Sequence, residues 1–349
     1  MARSFSVATI GGDGIGPEVI EAAIPAIERA AASGDATLVW EHLPYGADHF
    51  LATGETLPDG AFTHLRDDVD AILIGALGDP RVPGNEHARD ILLGLRLRLD
   101  LYVNFRPTRT LHPDLCPLKG DRPIDFVIFR ENTEGFYLGR GDSSREGTAE
   151  EEQIAHEVHT APKVSRILRA AFEWARANGR TRITMSDKSN AVPMHRLWRR
   201  LFDEVGADFP EIAREHRYVD VLAMELVQAP ERFQVIVTNN LFGDILSDLG
   251  AGLVGGLGLA ASANLHPGRA GLFEPVHGSA PPLAGKGVAN PMATILAGAL
   301  MLESLGLDDA AHSVEAAVRD ALTEGQTTPD LGGKRSTEEV ARWIAERLP

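Results

Sequence analysis

Two aspartates, Asp244 and Asp248, stand four residues apart in NNLFGDILSDLGAGLVGG, a segment with helical apolar spacing. At that spacing both carboxylates leave one face of a helix, where like charges repel slightly. Leu241, Phe242, Ile245, Leu246 and Leu249 surround them and ask for burial on more than one side. Hard oxygen ligands set into such a helix suit Mg²⁺ or Mn²⁺. Two solvated aspartates are the plain alternative. Arginines come next. Arg96 follows Leu92 and Leu93 in ARDILLGLRLRLDLYVNFRP, Arg106 ends that stretch, and Arg130 ends the apolar run DFVIF. A surface ion pair would explain each alone. Together, at element ends and beside apolar residues, they suggest bidentate clamps for carboxylates. Lys188 follows a predicted strand in TMSDKSNAV, and Asp220 stands in HRYVDVL. Position alone leaves both open to a solvated role. The loop FEPVHGSAPPLAGKGVANP is built of Gly, Pro and Ala. Such a loop brings backbone amides close to a phosphate or a flat base, although it also reads as a long connection.

The elements that must position these groups alternate along the chain. Ser6–Ile10 reads as a buried strand, followed by the turn GGDGIGP and a helix from about Pro17. Ala36–Val39 and Ala71–Ile74 read as strands, Ala88–Asp100 as a helix and Asp125–Phe129 as a strand. Ala161–Asn178 reads as a helix, Thr181–Met185 as a strand and Pro193–Val205 as a helix. Phe233–Thr238 is a strand leading into a helix near Leu241. The last hundred residues read as mostly helical, with a loop from Glu274 to Pro291. This order argues for an α/β fold with sheets covered by helices. The acidic stretch Arg140–Gln153 reads as an exposed hairpin or arm, or as a solvated loop. GGDGIG is not a dinucleotide fingerprint, because its glycines at 12, 14 and 16 miss the G-x-G-x-x-G spacing and Glu41 falls late. HEVH at His156–His159 lacks the H-E-x-x-H spacing of a zinc protease.

The chain has 349 residues, 44% hydrophobic and 24% charged, enough for two modest domains with a sizeable core. Its formal net charge of -16 argues against a nucleic-acid surface, so an anionic substrate must meet a local basic pocket. Cys116 is the only cysteine, which fits a reducing compartment. The first residues do not read as a signal peptide. The weakly polar run Ala251–Ala263 is shorter than the roughly 20 residues of a membrane span. A cytoplasmic protein without membrane contact is the expectation.

Taken jointly, GDGIGPEV, the LLxLR helix leading to NFRP, RENTEGFY, DKSN, NNLFGDILSDLGAGLVGGLG, EPVHGSAP, GVANP and TPDLGG resemble the β-decarboxylating dehydrogenases. That family includes isopropylmalate, isocitrate, homoisocitrate and tartrate or D-malate enzymes, and the resemblance runs from about residue 6 to 335. It implies the family's two-domain α/β fold, isopropylmalate-dehydrogenase-like and not a Rossmann domain, with the active site in the interdomain cleft. Residues 1–101 plus 255–349 would form the cofactor domain, and 102–254 the substrate, metal and dimerisation domain. Arg96, Arg106 and Arg130 would bind malate carboxylates, with Leu92 and Leu93 beside them. Asp244 and Asp248, joined by Asp220 from a partner subunit, would hold Mg²⁺ or Mn²⁺, with Asp220 also near the substrate. Tyr137 and Lys188 would be the acid–base pair, Lys188 also reaching across a homodimer with shared sites. Glu274, His277, Gly278, Ser279, Ala280, Pro282, Ala289, Asn290 and Asp330 would line the NAD site. The implied reaction is oxidation of a 2-hydroxy acid at C2, followed by loss of the C3 carboxylate as CO₂.

Two features depart from the family pattern. NAD-dependent members carry an aspartate after HGSAP, where this chain has Pro282 and then Leu283. The Lys-Tyr pair of the NADP-dependent isocitrate enzymes is also missing, so the resemblance still implies NAD. Leu92 and Leu93 look like a pocket for an isopropyl group and offer a third carboxylate no polar partner. Asn132 and Ala191 look more like the tartrate/D-malate and homoisocitrate members, although the Trp those members carry near Leu92 is missing. The expectation is a 3-isopropylmalate-type substrate. A D-malate, tartrate or homoisocitrate enzyme is the alternative, and a non-catalytic subunit the remoter one.

Overall fold

The computed structural model of the protein describes residues 3–120 and 122–349. The chain divides into two compact units. One holds Met1–Leu101, Arg109–Asp121 and Ala251–Pro349; the other holds Tyr102–Thr108 and Arg122–Gly250.

In the first unit the strand order is Ala36–Leu43, Arg3–Gly12, Ala71–Ala76, Gly271–Pro275, Ala261–Leu265. Val7 pairs in parallel with Trp40 on one side and Ala71 on the other, and Gly271 continues the parallel ladder beside Ala71. Only Ala261–Leu265 runs antiparallel to its neighbour. AILIGA is buried at every position, as expected of a parallel strand covered on both faces. The order is not that of a classic dinucleotide-binding sheet. The helix Gly16–Ser33 starts with Pro17 in its first turn and buries Val19, Ile20, Ala23, Ile27 and Ala30 at helical spacing. Helix Met292–Ser304 packs against it and is buried nearly all round. Gly298 makes that approach possible, since a methyl group there would stand 2.3 Å from Ile27 Cδ1.

In the second unit the order is Val103–Arg109, Asp125–Glu131, Val235–Thr238, Arg182–Asp187, Ala213–Tyr218. Val235 pairs in parallel with Val127 and Ile183, and Arg182 with Ala213. Helices Ala161–Ala177, Arg196–Gly206, Val219–Gln228 and Asn240–Leu253 accompany these strands. Phe172 stacks on Phe202 and Phe209, and Trp174 sits against Phe105 and Phe129. The polar stretch after Arg140 forms a hairpin of Gly141–Ser144 and Glu152–Ala155, exposed at every strand position. This is the hairpin reading of that segment.

Some strands go against their sequence. Ala261–Leu265 (ASANL) and Gly271–Pro275 lie in the region expected to be helical. Their period is masked by buried polar residues: Ser262 and Asn264 are fully buried, and Asn264 donates to Leu272 O. The expected loop therefore begins after Pro275 and not at Glu274. Ala213–Tyr218 (AREHRY) has no apolar alternation because it stands at the end of the strand order. Among the described residues no helix is long and apolar enough to cross a membrane.

Candidate active site

The second unit brings Arg106, Arg130, Tyr137, Asp244 and Asp248 together. Arg130 leaves the end of its strand with only 1% of its surface exposed, and Arg106 is buried as well. A guanidinium this deep must have its donors satisfied. Arg130 Nε and Nη2 both donate to Asn240 Oδ1, at 2.9 and 2.6 Å, while Nη1 donates to Asp244 Oδ1 at 2.6 Å. Arg106 Nε donates to Asn104 Oδ1 at 2.9 Å and Nη1 to Ser247 Oγ at 2.8 Å. Its remaining reach is toward the acids: Nη1 lies 3.4 Å from Asp248 Oδ1 and Nη2 3.6 Å from Asp244 Oδ1. Asn239 Oδ1 accepts the Phe242 N–H at 2.8 Å, satisfying a first-turn amide of the helix that carries both aspartates.

Tyr137 stands in the short turn Gly135–Leu138, and its hydroxyl donates to Asp244 Oδ2 at 2.6 Å. The turn is built locally. Glu131 accepts the Thr133 and Glu134 amides, and Glu134 in turn accepts the Thr160 N–H and hydroxyl. Burial, reinforced by the Asp244 carboxylate, pushes the Tyr137 phenol up to about 12. It therefore keeps its proton at neutral pH. Burial also pushes Asp248 up, with Asp244 adding to it against the pull of Arg106.

Lys188, directly after its strand, meets Asp220 Oδ1 at 2.6 Å, and this hydrogen bond holds Asp220 below the ordinary carboxylate range. Asp220 does not join Asp244 and Asp248 in one cluster. Among the described residues the only group of metal-binding type is Glu157, His159 and His195.

The remaining site candidates lie in the first unit. Arg96 is buried and donates to Glu274 Oε1 at 2.5 Å, an oxygen that also accepts Asn264 Nδ2 at 2.9 Å. Leu92 packs against the apolar core beside Ile91 and Leu95. The loop His277–Ala280 is pinned by the glycine turn near the N-terminus. Ile15 N–H donates to Ser279 O at 2.8 Å, and Ser279 Oγ donates to Gly78 O. Gly14 has φ +57°, and a methyl group there would stand 2.0 Å from Ser279 O. The turn that fails as a nucleotide fingerprint thus shapes a nearby loop. Asp13 ties it down, accepting the Ala47 and Gly78 amides and pairing with buried His87 at 2.7 Å. Burial lowers the His277 imidazole, whose buried Nε2 has no hydrogen-bond partner among the described residues. Asp330 accepts Asn290 Nδ2 at 3.0 Å and the Thr328 hydroxyl at 2.5 Å. Pro282 is exposed in the short turn Pro281–Leu283.

Residues not singled out from the sequence complete the arginine–aspartate group. Asn240 and Gly243 lie within the quoted NNLFGD, Asn240 four residues ahead of Asp244 and Gly243 four residues ahead of Ser247 along the helix. Their meaning depends on Arg130, 113 positions before Gly243, whose register no local pattern reveals.

In this α/β protein two buried arginines, carried by two strands, meet two partly exposed aspartates carried by one helix, a grouping of charge suited to an enzyme site. The chain belongs to the isocitrate/isopropylmalate dehydrogenase family, whose model matches residues 6–344. It is a dehydrogenase. A 3-isopropylmalate dehydrogenase of Beutenbergia cavernae is 46% identical over 100% of this chain and 99% of its own length. One from Streptomyces coelicolor is 43% identical with the same coverage. The crystal structure of isocitrate dehydrogenase from Methylococcus capsulatus has a TM-score of 0.89 at 38% identity, covering 99% of each chain.

Gly243 offers a direct check on the arginine clamp. A methyl group there would stand 2.5 Å from Arg130 Cγ and 2.7 Å from its Cβ, next to the backbone and unable to swing aside. Gly243→Ala should cost about 1–3 kcal/mol in chemical denaturation. It should also lower kcat/KM at least about tenfold by turning Arg130 off Asp244. Unchanged kcat/KM would show that the clamp tolerates movement.

Proposed function

We propose that this chain is an NAD-dependent, divalent-metal-dependent enzyme that oxidises and decarboxylates a malate substituted at C3, with 3-isopropylmalate as its substrate. The observation that carries this reading is the second-unit group in which two buried arginines and Tyr137 converge on Asp244. The full-length relatives named 3-isopropylmalate dehydrogenase support the choice of substrate. Leu92 and Leu93, partly buried one helical turn before Arg96, suit an apolar C3 substituent.

The donor set fits the implied groups. Asp244 and Asp248 are hard oxygen donors on one helical face, about one-third and one-half exposed, as Mg²⁺ or Mn²⁺ prefers. The His277 nitrogen without a partner and the glycine-pinned loop suit a dinucleotide, with Asn290 and Asp330 near it. When bound, NAD would accept the C2 hydride and the cation would polarise the C2 oxygen. Arg106 and Arg130 bind carboxylates of the substrate, their planes set by Asn104 and Asn240. Lys188 takes the C2 hydroxyl proton. As the C3 carboxylate leaves as CO₂, its bonding electrons move toward the C2 ketone, and Tyr137 donates its proton to C3.

We further propose a homodimer in which Lys188 and Asp220 serve the neighbouring site. Asp220 stands outside the Asp244–Asp248 pair within one chain, and a partner copy would supply the third carboxylate. Met194, Met224, Val227 and Ile245 are exposed at 45–73%, apolar side chains that a second copy would cover. Leucine biosynthesis in the cytoplasm is the role this reading assigns.

An isocitrate preference is the second reading, favoured by the name of the Methylococcus capsulatus structure. NADH formation with Mn²⁺ across 3-isopropylmalate, D-malate, tartrate, homoisocitrate and isocitrate decides between them. The highest kcat/KM is expected with 3-isopropylmalate; a higher value with any other acid overturns the substrate assignment.

Cofactor choice gives a second test. Pro282 can neither accept a ribose hydroxyl nor repel a 2′-phosphate. NAD should be preferred, and Pro282→Asp should raise the NAD:NADP ratio of kcat/KM by about tenfold, since a carboxylate repels the phosphate. An unmoved ratio would assign the ribose contact elsewhere, with Asp330 the next candidate.

A further inference from the structure

The group Glu157, His159 and His195 lies outside the machinery described so far. Their potential ligand atoms lie within 4.8 Å of one another, and their side chains are 11%, 6% and 1% exposed. A metal site is the first thought, and the hydrogen bonds argue against it. The backbone N–H of Lys188 donates to His195 Nδ1 at 3.1 Å. A backbone amide can only donate, so Nδ1 presents its lone pair and the neutral ring carries its proton on Nε2. That proton points to Glu157 Oε2, 2.7 Å away. A cation on Nε2 would move the ring proton to Nδ1, where it would face the Lys188 N–H, two donors in opposition.

The same carboxylate has a second arm. Glu157 Oε1 accepts Asn239 Nδ2 at 3.0 Å, and Asn239 Oδ1 accepts the first-turn amide of Phe242. His159 adds a third neighbour, its Nε2 standing 3.1 Å from Oε1. Aromatic edges close the network: His195 lies against His159 at 5.3 Å and against Phe242 at 5.6 Å, and His159 against Trp198 at 5.8 Å. Although burial opposes it, the contacts with His159 and His195 hold the Glu157 carboxyl at about 2, so it remains an acceptor on both oxygens.

We propose that Glu157 is a positioning residue, which through His195 and Asn239 fixes the backbone of Lys188 relative to the first turn of the Asp244 helix. The inference rests on the acid–base role proposed for Lys188. Glu157 reaches no substrate atom in this account. It acts because a lysine side chain is long and flexible, and its reach is only as exact as the backbone that carries it.

The test compares Glu157→Ala, Glu157→Gln, Lys188→Ala and the Glu157→Ala/Lys188→Ala double variant. Readouts are kcat and KM for 3-isopropylmalate with NAD and Mn²⁺, normalised to folded protein by circular dichroism. Glu157→Ala should lower kcat by about 10–100-fold while KM stays within about threefold, the range seen when an outer-shell partner is removed. Glu157→Gln keeps an oxygen for His195 Nε2–H but turns an amide toward Asn239, and should recover part of that loss. In the Lys188→Ala background, removing Glu157 should cost less than about threefold. Glu157→Ala with wild-type kcat overturns the proposal, as does an undiminished loss in the Lys188→Ala background, or a loss wholly accounted for by unfolded protein. Wild-type kcat in Lys188→Ala overturns both this inference and the role of Lys188. An enzyme that needs Lys188 but not Glu157 overturns the inference alone.

Discussion

The Asp244 carboxylate is the point on which the second unit's chemistry turns. Arg130 and Tyr137 each reach it at 2.6 Å, and Arg106 stands 3.6 Å away. Two guanidiniums buried in a protein of net charge -16 could not remain there without such partners. The acid in turn is held between donors without being closed off, with about a third of its side chain exposed. That balance makes it available to a cation or a substrate while its position is fixed. The rest follows from it. Asn240 takes the other edge of Arg130, Gly243 leaves room for its stem, and Asn239 secures the first turn beneath them.

The first unit solves a different problem, holding an irregular loop in one shape. Backbone without regular pairing must be satisfied by specific partners. The Ile15 N–H provides one for Ser279 O, Gly14 leaves room for that approach, and Asp13 with buried His87 holds the turn that carries both. Arg96 is the less expected finding. Its ion pair with Glu274 is buried, and its Nε has no hydrogen-bond partner among the described residues. A buried guanidinium with a spare donor is an energetic cost that a bound carboxylate would relieve.

Much of this was legible in the residues, and the exceptions have physical causes. Strands such as AILIGA and DFVIF announce themselves because both faces are buried and the apolar run is unbroken. The i, i+4 aspartates were readable because helical geometry relates them locally. VNFRPTR and ASANL hide their strands, since Arg106, Asn104, Ser262 and Asn264 are buried polar residues that break the apolar pattern, Arg106 finding its Ser247 partner 141 residues on. The Glu157–His195 network was invisible for the same reason: HEVH has the wrong spacing for a local site, and its glutamate finds its partner 38 residues on. Local patterns report periodicity and short-range chemistry. Long-range hydrogen bonding decides which polar residues may be buried.

The most direct measurement of the central claim is Mn²⁺ binding to the purified protein in the presence of 3-isopropylmalate, followed by electron paramagnetic resonance, for wild type and Asp244→Asn. The substitution keeps the shape and one acceptor oxygen for the neighbouring donors, but removes the charge a hard cation requires. Wild type is expected to bind Mn²⁺ and Asp244→Asn to weaken binding by about 100-fold or more, with the fold intact by circular dichroism. Equal Mn²⁺ affinity in the two proteins would contradict the claim.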